Sequence, residues 1–297
     1  MTLLHGRPAA YAALLLAALF WASSFPALKI AFSIYDPMVV LFFRMLLGCL
    51  CLIAFSRNFS NVNYRPGDWK LLLFMSICEP GLYFIFESSA LQYTEASQAG
   101  MICAMAPLMV AIAARFILKE PFTRRTATGF IMAIAGAALL SLLSEKTDNA
   151  PNPVLGNFLE FMAMVCTTGY MITLKFLSDR YNPWFLTMVQ AAVGTVFFFP
   201  LLFLPTTVPP VVFDPVGIGT IVFLGIVVTV GGYGLYNVGM SRLPAGQASA
   251  FINLIPVFTL LLSWLLLGER LSLLQYACCG LVLAGVWHSQ GKNKNQS

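Results

Sequence analysis

Apolar runs of about 18–24 residues recur along the whole chain, and nothing else in it narrows the choice of fold so far. A lipid-facing strand would alternate apolar and polar residues over about ten positions. These runs are continuous instead, so each reads as an α-helix that satisfies its own backbone inside a bilayer. Soluble domains are about 45–50% apolar and about 25% charged. Here 59% of the 297 residues are hydrophobic and 10% are charged, with mean hydropathy +0.81. One water-soluble core cannot hide that much apolar surface, so the expected class is an all-α integral membrane protein.

Ten spans are predicted, at 9–31, 37–56, 69–91, 96–118, 124–144, 154–177, 183–204, 215–239, 244–267 and 271–289. Their connections are short and carry turn residues, among them Asp36-Pro37, Arg65 to Asp68, Asn149 to Pro153, Asn182-Pro183 and Leu243-Pro244. No connection has room for a soluble domain. The first run is too long for the apolar core of a cleaved signal peptide, which spans about 7–15 residues.

Basic residues orient the spans. Alternate loops and both ends carry twelve of them: Arg7, Arg57, Arg65, Lys70, Lys119, Arg124, Arg125, Lys175, Arg180, Arg242, Lys292 and Lys294. The opposite loops carry three, Lys29, Lys146 and Arg270. That asymmetry places both termini in the cytoplasm. It also accounts for the net charge of +5 without a nucleic-acid partner.

The chain also resembles itself. A shift of 149 positions lays Ala96 on Ala245, Gln98 on Gln247, Ala99 on Ala248, Pro107 on Pro256, Leu118 on Leu267, Glu120 on Glu269 and Gly136 on Gly285. A shift of 146 lays Lys29 on Lys175, Pro37 on Pro183 and Gly48 on Gly194. Two units of five helices follow, at 9–144 and 154–289. Five is odd, so the second unit crosses the membrane in the opposite sense. This is the inverted-topology repeat from which many secondary transporters build their two access states.

FWASSFPALKIA (20–31), ASQAGMICAMAPLMVAIAARFILKEPFT (96–123) and its echo GQASAFINLIPVFTLLLSWLLLGERLS (246–272) resemble the EamA domains of the drug/metabolite transporter (DMT) superfamily. The resemblance spans nearly the whole chain as two tandem copies. It departs from the usual pattern at Lys119, where the second copy has Gly268. It implies a ten-helix carrier of the plasma membrane or bacterial inner membrane, often an exporter of amino acids or related metabolites.

The candidate site starts from CEPGLYFIFE (78–87). Glu79 lies about 16 Å into the third span, close to mid-membrane, and Glu87 about 12 Å beyond it. An acid at the centre of a span costs about 2.5–3.5 kcal/mol on insertion scales, so it should face a polar cavity or a partner. Glu79, Tyr83 and Glu87 are spaced to share one helix face. Pro80 and Gly81 can bend the helix and free a carbonyl. Two readings are open for the acids. They bind a substrate amine or carry a coupling proton, or they form a structural ion pair with Arg44. Glu160 reads as a structural or entrance residue near the outer end of its span.

The eighth span offers Thr229, Tyr233 and Asn237 at the same spacing. Trp21 and Ser24 lie deep in the first span, where a tryptophan serves better as pocket wall than as interface anchor. Pro107 and Pro256 each remove a backbone donor and are candidate paired gates. Asn253, one turn before Pro256, is a further candidate lining residue. Lys29 and Lys175 read as snorkelling anchors, and Glu120 and Glu269 as helix-end or loop charges.

Other chemistry lacks its parts. There is no phosphate-cradling glycine loop. The histidines, His5 and His288, lie near the termini, and the seven cysteines lie in apolar runs, so no metal site or serine–histidine triad is expected. No cofactor and no enzyme activity are expected. The expected partners are a small-molecule substrate, the lipid bilayer and a coupling proton. A lipid or lipid-linked metabolite flippase, a lipid-acting membrane enzyme and a non-transporting scaffold are the alternatives. Substrate identity, direction and oligomeric state are not legible.

Overall fold

The computed structural model describes residues 7–56, 63–117, 123–243 and 248–290. Of the positions used above, His5, Arg57, Leu118, Lys119, Glu120, Pro244, Ala245, Gln247, Lys292 and Lys294 lie outside them. Among the described residues the fold is all helical, apart from an isolated bridge between Thr147 and Ala150.

The helices are α1 (Arg7–Phe32), α2 (Pro37–Ala54), α3 (Asp68–Tyr93), α4 (Ala96–Ile117), α5 (Arg124–Leu142), α6 (Pro153–Ser178), α7 (Pro183–Phe203), α8 (Pro215–Arg242), α9 (Ala250–Leu267) and α10 (Leu273–Gln290). Among the described residues nine of them, α1 to α9, are long and apolar enough to cross a bilayer. The tenth, α10, is a shorter apolar helix.

The punctuation of the sequence acts as its chemistry dictates. Asp36, Asn152, Asn182 and Asp214 each cap the helix that follows, and each is followed by proline at the first helical position. The side chain satisfies an orphan N–H, and the proline has none to satisfy. Thr123 caps α5 in the same way. Gly268 ends α9 at φ +70°, a left-handed conformation suited to glycine.

α7 ends in a 3₁₀ stretch at Pro200–Phe203, and four other helices are irregular in two matching pairs. α3 contains a π-helical stretch at Ile77–Leu82, and α8 one at Leu224–Tyr233. α4 passes through a 3₁₀ turn at Cys103–Met105, just before Pro107, and α9 through Ala250–Leu254, just before Pro256. Each proline lacks the N–H that a regular turn needs. Pro26 does the same in α1, where Thr259 of α9 donates to the freed carbonyl of Ala22 at 3.3 Å.

The packing pattern is also paired. α2 lies against α7, α4 against α9 and α5 against α10. α1 packs on α8 and α9, while α6 packs on α3 and α4. Phe116, Val196 and Trp287 are exposed on the outside, as expected of a lipid-facing surface.

Both ends of the bundle are tied across elements. Arg180 pairs with Asp68 through two bonds of 2.8 and 3.0 Å, and the Tyr181 hydroxyl donates to the same carboxylate at 2.7 Å. At the other end the Glu269 carboxylate accepts from the backbone N–H groups of Ala96 (3.0 Å) and Ser97 (2.8 Å). Glu269 is thus a helix-end charge, but it caps α4, far away in sequence. Lys29 and Lys175, expected as snorkelling anchors, reach backbone carbonyls of neighbouring segments. Lys29 donates to the carbonyl of Asn149 at 2.6 Å, and Lys175 to those of Met240 and Leu243 at 3.4 and 3.5 Å.

Candidate functional site

Proline disfavours the helical region for the residue before it. Glu79 accordingly leaves the helix, with φ −150° and ψ 117°, and its peptide bond to Pro80 is cis. The break frees the Glu79 carbonyl, which accepts from Gln190 Nε2 of α7 at 3.0 Å. It also turns the carboxylate toward the other helices. Tyr233 of α8 donates its hydroxyl to Glu79 Oε1 at 2.7 Å, and Thr167 of α6 donates to Oε2. The acid is buried, with both oxygens engaged, as low-dielectric surroundings require.

One turn on, the helix is regular again. Tyr83 donates to Glu87 Oε1 at 2.9 Å, an i to i+4 contact along α3. Glu79, Tyr83 and Glu87 all line one cavity, although a π-helical turn with non-helical φ/ψ at Glu79 interrupts the regular spacing.

Arg44 of α2 is 1% exposed. Its Nε donates to Thr229 Oγ1 at 3.0 Å, and its guanidinium lies 4.2 Å above the ring of Phe84. Its Nη1 is buried with no partner. No ion pair within 4 Å joins Arg44 to Glu79 or Glu87. The structural ion pair considered from sequence is not formed.

These groups line one cavity of about 30 Å³, with Trp21, Ser24 and Phe25 of α1, Cys103 and Ala106 of α4, Met164 and Met171 of α6, and Ile252 and Ile255 of α9 completing the wall. That volume suits about one water molecule. Trp21 meets Tyr233 at 5.2 Å and Tyr236 at 4.7 Å between ring centroids. Gly232 makes the approach possible, because a Cβ there would sit 2.9 Å from the indole nitrogen.

The repeat shifts pair much of this wall. A shift of 146 takes Trp21 to Thr167 and Phe25 to Met171; a shift of 149 takes Phe84 to Tyr233, Cys103 to Ile252 and Ala106 to Ile255. The polar groups break that pairing. Glu79 falls on Val228, Glu87 on Tyr236 and Arg44 on Gln190.

The structure brings together Trp21, Ser24, Glu79, Tyr83, Glu87 and Tyr233. The Ser24 hydroxyl is turned back to the Trp21 carbonyl at 2.6 Å. Asn237 sits beside the cavity rather than on it. It accepts from Tyr170 at 2.8 Å and donates to Thr187 at 2.9 Å and Gln190 at 3.3 Å. Asn253 is also off the wall, with a buried Oδ1 that lacks a partner. Pro107 and Pro256 are buried, each next to a lining residue. Glu160 is fully buried, where Cys103 donates to it at 3.6 Å.

Sequence reasoning missed Arg44, Phe84 and Thr167 as lining residues. Two had a signal: the repeat shifts lead from Trp21 to Thr167 and from Tyr233 to Phe84. Arg44 was considered from sequence only as an ion-pair partner of the two acids, on the signal of being a charge within a span.

The model of a family described as the EamA-like transporter family matches residues 8–142 and again 154–289. An uncharacterized transporter of Archaeoglobus fulgidus is 28% identical, over 90% of this chain and 94% of its own. The uncharacterized inner membrane transporter YhbE of Escherichia coli is 26% identical, over 92% and 88%. A crystal structure 20% identical in sequence superposes with a TM-score of 0.68, over 96% of this chain and 97% of its own, which shows a shared fold.

Proposed function

The chain belongs to the EamA-like transporter family, and from that premise we propose that it is a secondary carrier that exports a small amphipathic metabolite, such as an amino acid, by alternating access. The observation that carries the reading is Glu79. A carboxylate buried at the break of α3 is held by hydroxyls from α6 and α8, across the two halves of the chain. An acid kept at mid-membrane at such expense is fitted to read positive charge or to exchange a proton.

On this reading α10 is the tenth span, and 9–144 and 154–289 are two inverted units. Support comes from the matched irregularities of α3 with α8 and α4 with α9, and from the paired packing. The basic residues then put both termini in the cytoplasm of a bacterial inner membrane. A cavity sized for one water corresponds to an occluded state, so substrate must enter by parting the halves at α4 and α9.

The test is transport into proteoliposomes across a pH gradient, beside Glu79→Gln. If Glu79 carries the coupling proton, the variant keeps binding substrate and loses pH-driven accumulation; if it reads the substrate's positive charge, binding itself falls. Unchanged pH dependence would remove the proton role. A second reading, lipid translocation, draws on one feature. Tyr35, Val39 and Phe43 with Val212, Phe213 and Val222 line an apolar crevice of about 420 Å³ at the lipid-facing side of α2 and α8. Scrambling of fluorescent lipid by the same vesicles, with no metabolite transport, would favour it.

A further inference from the structure

The two ends of the bundle close with different chemistry. Where α3 meets α4, buried Thr94, Gln98 and Asn157 form an amide cluster. Gln98 Oε1 accepts from Asn157 Nδ2 at 3.0 Å and from Ser144 Oγ at 2.9 Å, with Thr94 Oγ1 3.3 Å away. Asn157 Oδ1 accepts from Thr94 at 2.8 Å, and Asn157 Nδ2 also donates to Ser141 at 2.9 Å. Gln275 of α10 donates to Ser144 at 3.2 Å. The cluster thus ties the α3–α4 connection and α4 to α5, α6 and α10, across both halves of the chain. Gly156 lets α6 come close, since a Cβ there would lie 2.6 Å from Thr94 Cβ. Buried amides bonded this fully hold one arrangement, because parting them strands several groups at once.

The repeat shifts lead from this cluster to the other end of the bundle, and there the chemistry differs. Thr94 falls on Leu243, Gln275 on Thr126, Asn157 on Tyr11 and Gly156 on Ala10. Tyr11 of α1 is 40% exposed and stacks on Phe251 of α9 at 5.9 Å between ring centroids. Both helices line the cavity, α1 through Ser24 and Phe25 and α9 through Ile252 and Ile255. The bonds of Arg180 and Tyr181 to Asp68 at this end run from α3 to the α6–α7 connection and include neither α1 nor α9. A half-exposed ring pair parts without stranding a buried hydrogen bond. We propose that the amide cluster latches its end of the cavity, and that the cavity opens first at the other end, between α1 and α9. The inference rests on the carrier reading and adds to it which end opens.

The experiment labels Cys103, which lines the cavity, with a membrane-impermeant maleimide added to one side of sealed vesicles. Mass spectrometry of the full-length chain reads the labelling rate at that residue. Lys146→Cys, in the α5–α6 connection just past Ser144, marks which vesicle face the cluster end occupies. In the parent, Cys103 should label faster from the opposite face. Gln98→Leu and Asn157→Leu should each raise the rate from the marked face about fivefold, the scale of one lost hydrogen bond. Tyr11→Ala should raise only the rate from the opposite face. Gln275→Leu deletes a single peripheral bond and should act in the same direction as the other cluster variants, and melting of each variant separates these effects from misfolding. If Cys103 of the parent labels faster from the marked face, or if no cluster variant raises that rate, the latch is overturned and the carrier reading stands. If Cys103 labels from neither face in any variant, both fall together.

Discussion

The Tyr233 hydroxyl lies 2.7 Å from Glu79 Oε1, although 154 residues separate the two in sequence. This bond joins the π-helical stretch of α8 to the broken turn of α3. On the proposed carrier reading, parting the halves would break or carry this bond, which makes it the first contact to perturb.

Tyr233→Phe keeps the ring and deletes the bond. A hydrogen bond to a charged group contributes about 1.5–3 kcal/mol, so melting in detergent should fall measurably. Glu79→Gln should lower it too, and the double variant should lose less than the sum, because the two changes remove one interaction. Simple additivity in that cycle would mean that the pair is not coupled.

Asn237 holds Tyr170, Thr187 and Gln190 together, and Gln190 in turn satisfies the carbonyl that Glu79 exposes. Asn237→Ala leaves several buried groups without partners, at about 1–3 kcal/mol for each group stranded. The expected result is a large drop in melting temperature. Adding Tyr170→Phe should lower it little further, since that bond is already gone.

Glu269 caps α4 from the α9–α10 connection, and no side chain of α4's own N-cap residue does so. Glu269→Ala removes the cap at about 1 kcal/mol, enough to raise the population of states parted at that end about fivefold. Cys103 lines the cavity and is 3% exposed. In a variant retaining Cys103 as its sole cysteine, a small maleimide should label it faster once Glu269 is removed. An unchanged labelling rate would show that the cap does not hold the cavity shut.

Gly136 lets α5 and α10 approach closely. A Cβ there would lie 2.8 Å from Val282 Cγ2 and 2.9 Å from the Cys278 carbonyl oxygen. Gly136→Leu should force the helices apart and cost about 1–3 kcal/mol, read as earlier melting. Leucine at Gly280, where a Cβ meets nothing within 4 Å, is the control and should melt like the parent.

Much of this was legible in the residues. A buried acid at mid-span must find partners, so Glu79 could be singled out before any partner was known. The order of prolines and polar residues in the two halves foretold that α4 and α9 would distort at the same place. The three residues of the α3 stripe do meet on one cavity, but the non-helical turn that aims Glu79 at Tyr233 and Thr167 does not follow from ideal helical spacing. Asn237 shows the opposite failure. Its spacing aligned it with Tyr233, yet it is consumed by three neighbours from two other helices.

The chain's own covalent order therefore determined what is local: continuous apolar runs make spanning helices, aspartate or asparagine before proline starts them, and Pro80 breaks α3. Only the tertiary structure decided which hydroxyls meet Glu79, that Arg44 lines the cavity, and that Glu269 caps a helix 173 residues away. Those contacts depend on how separate helices are rotated and packed against one another. Hydropathy is blind to that rotation, since lipid and protein interior present nearly the same apolar surroundings to a helix.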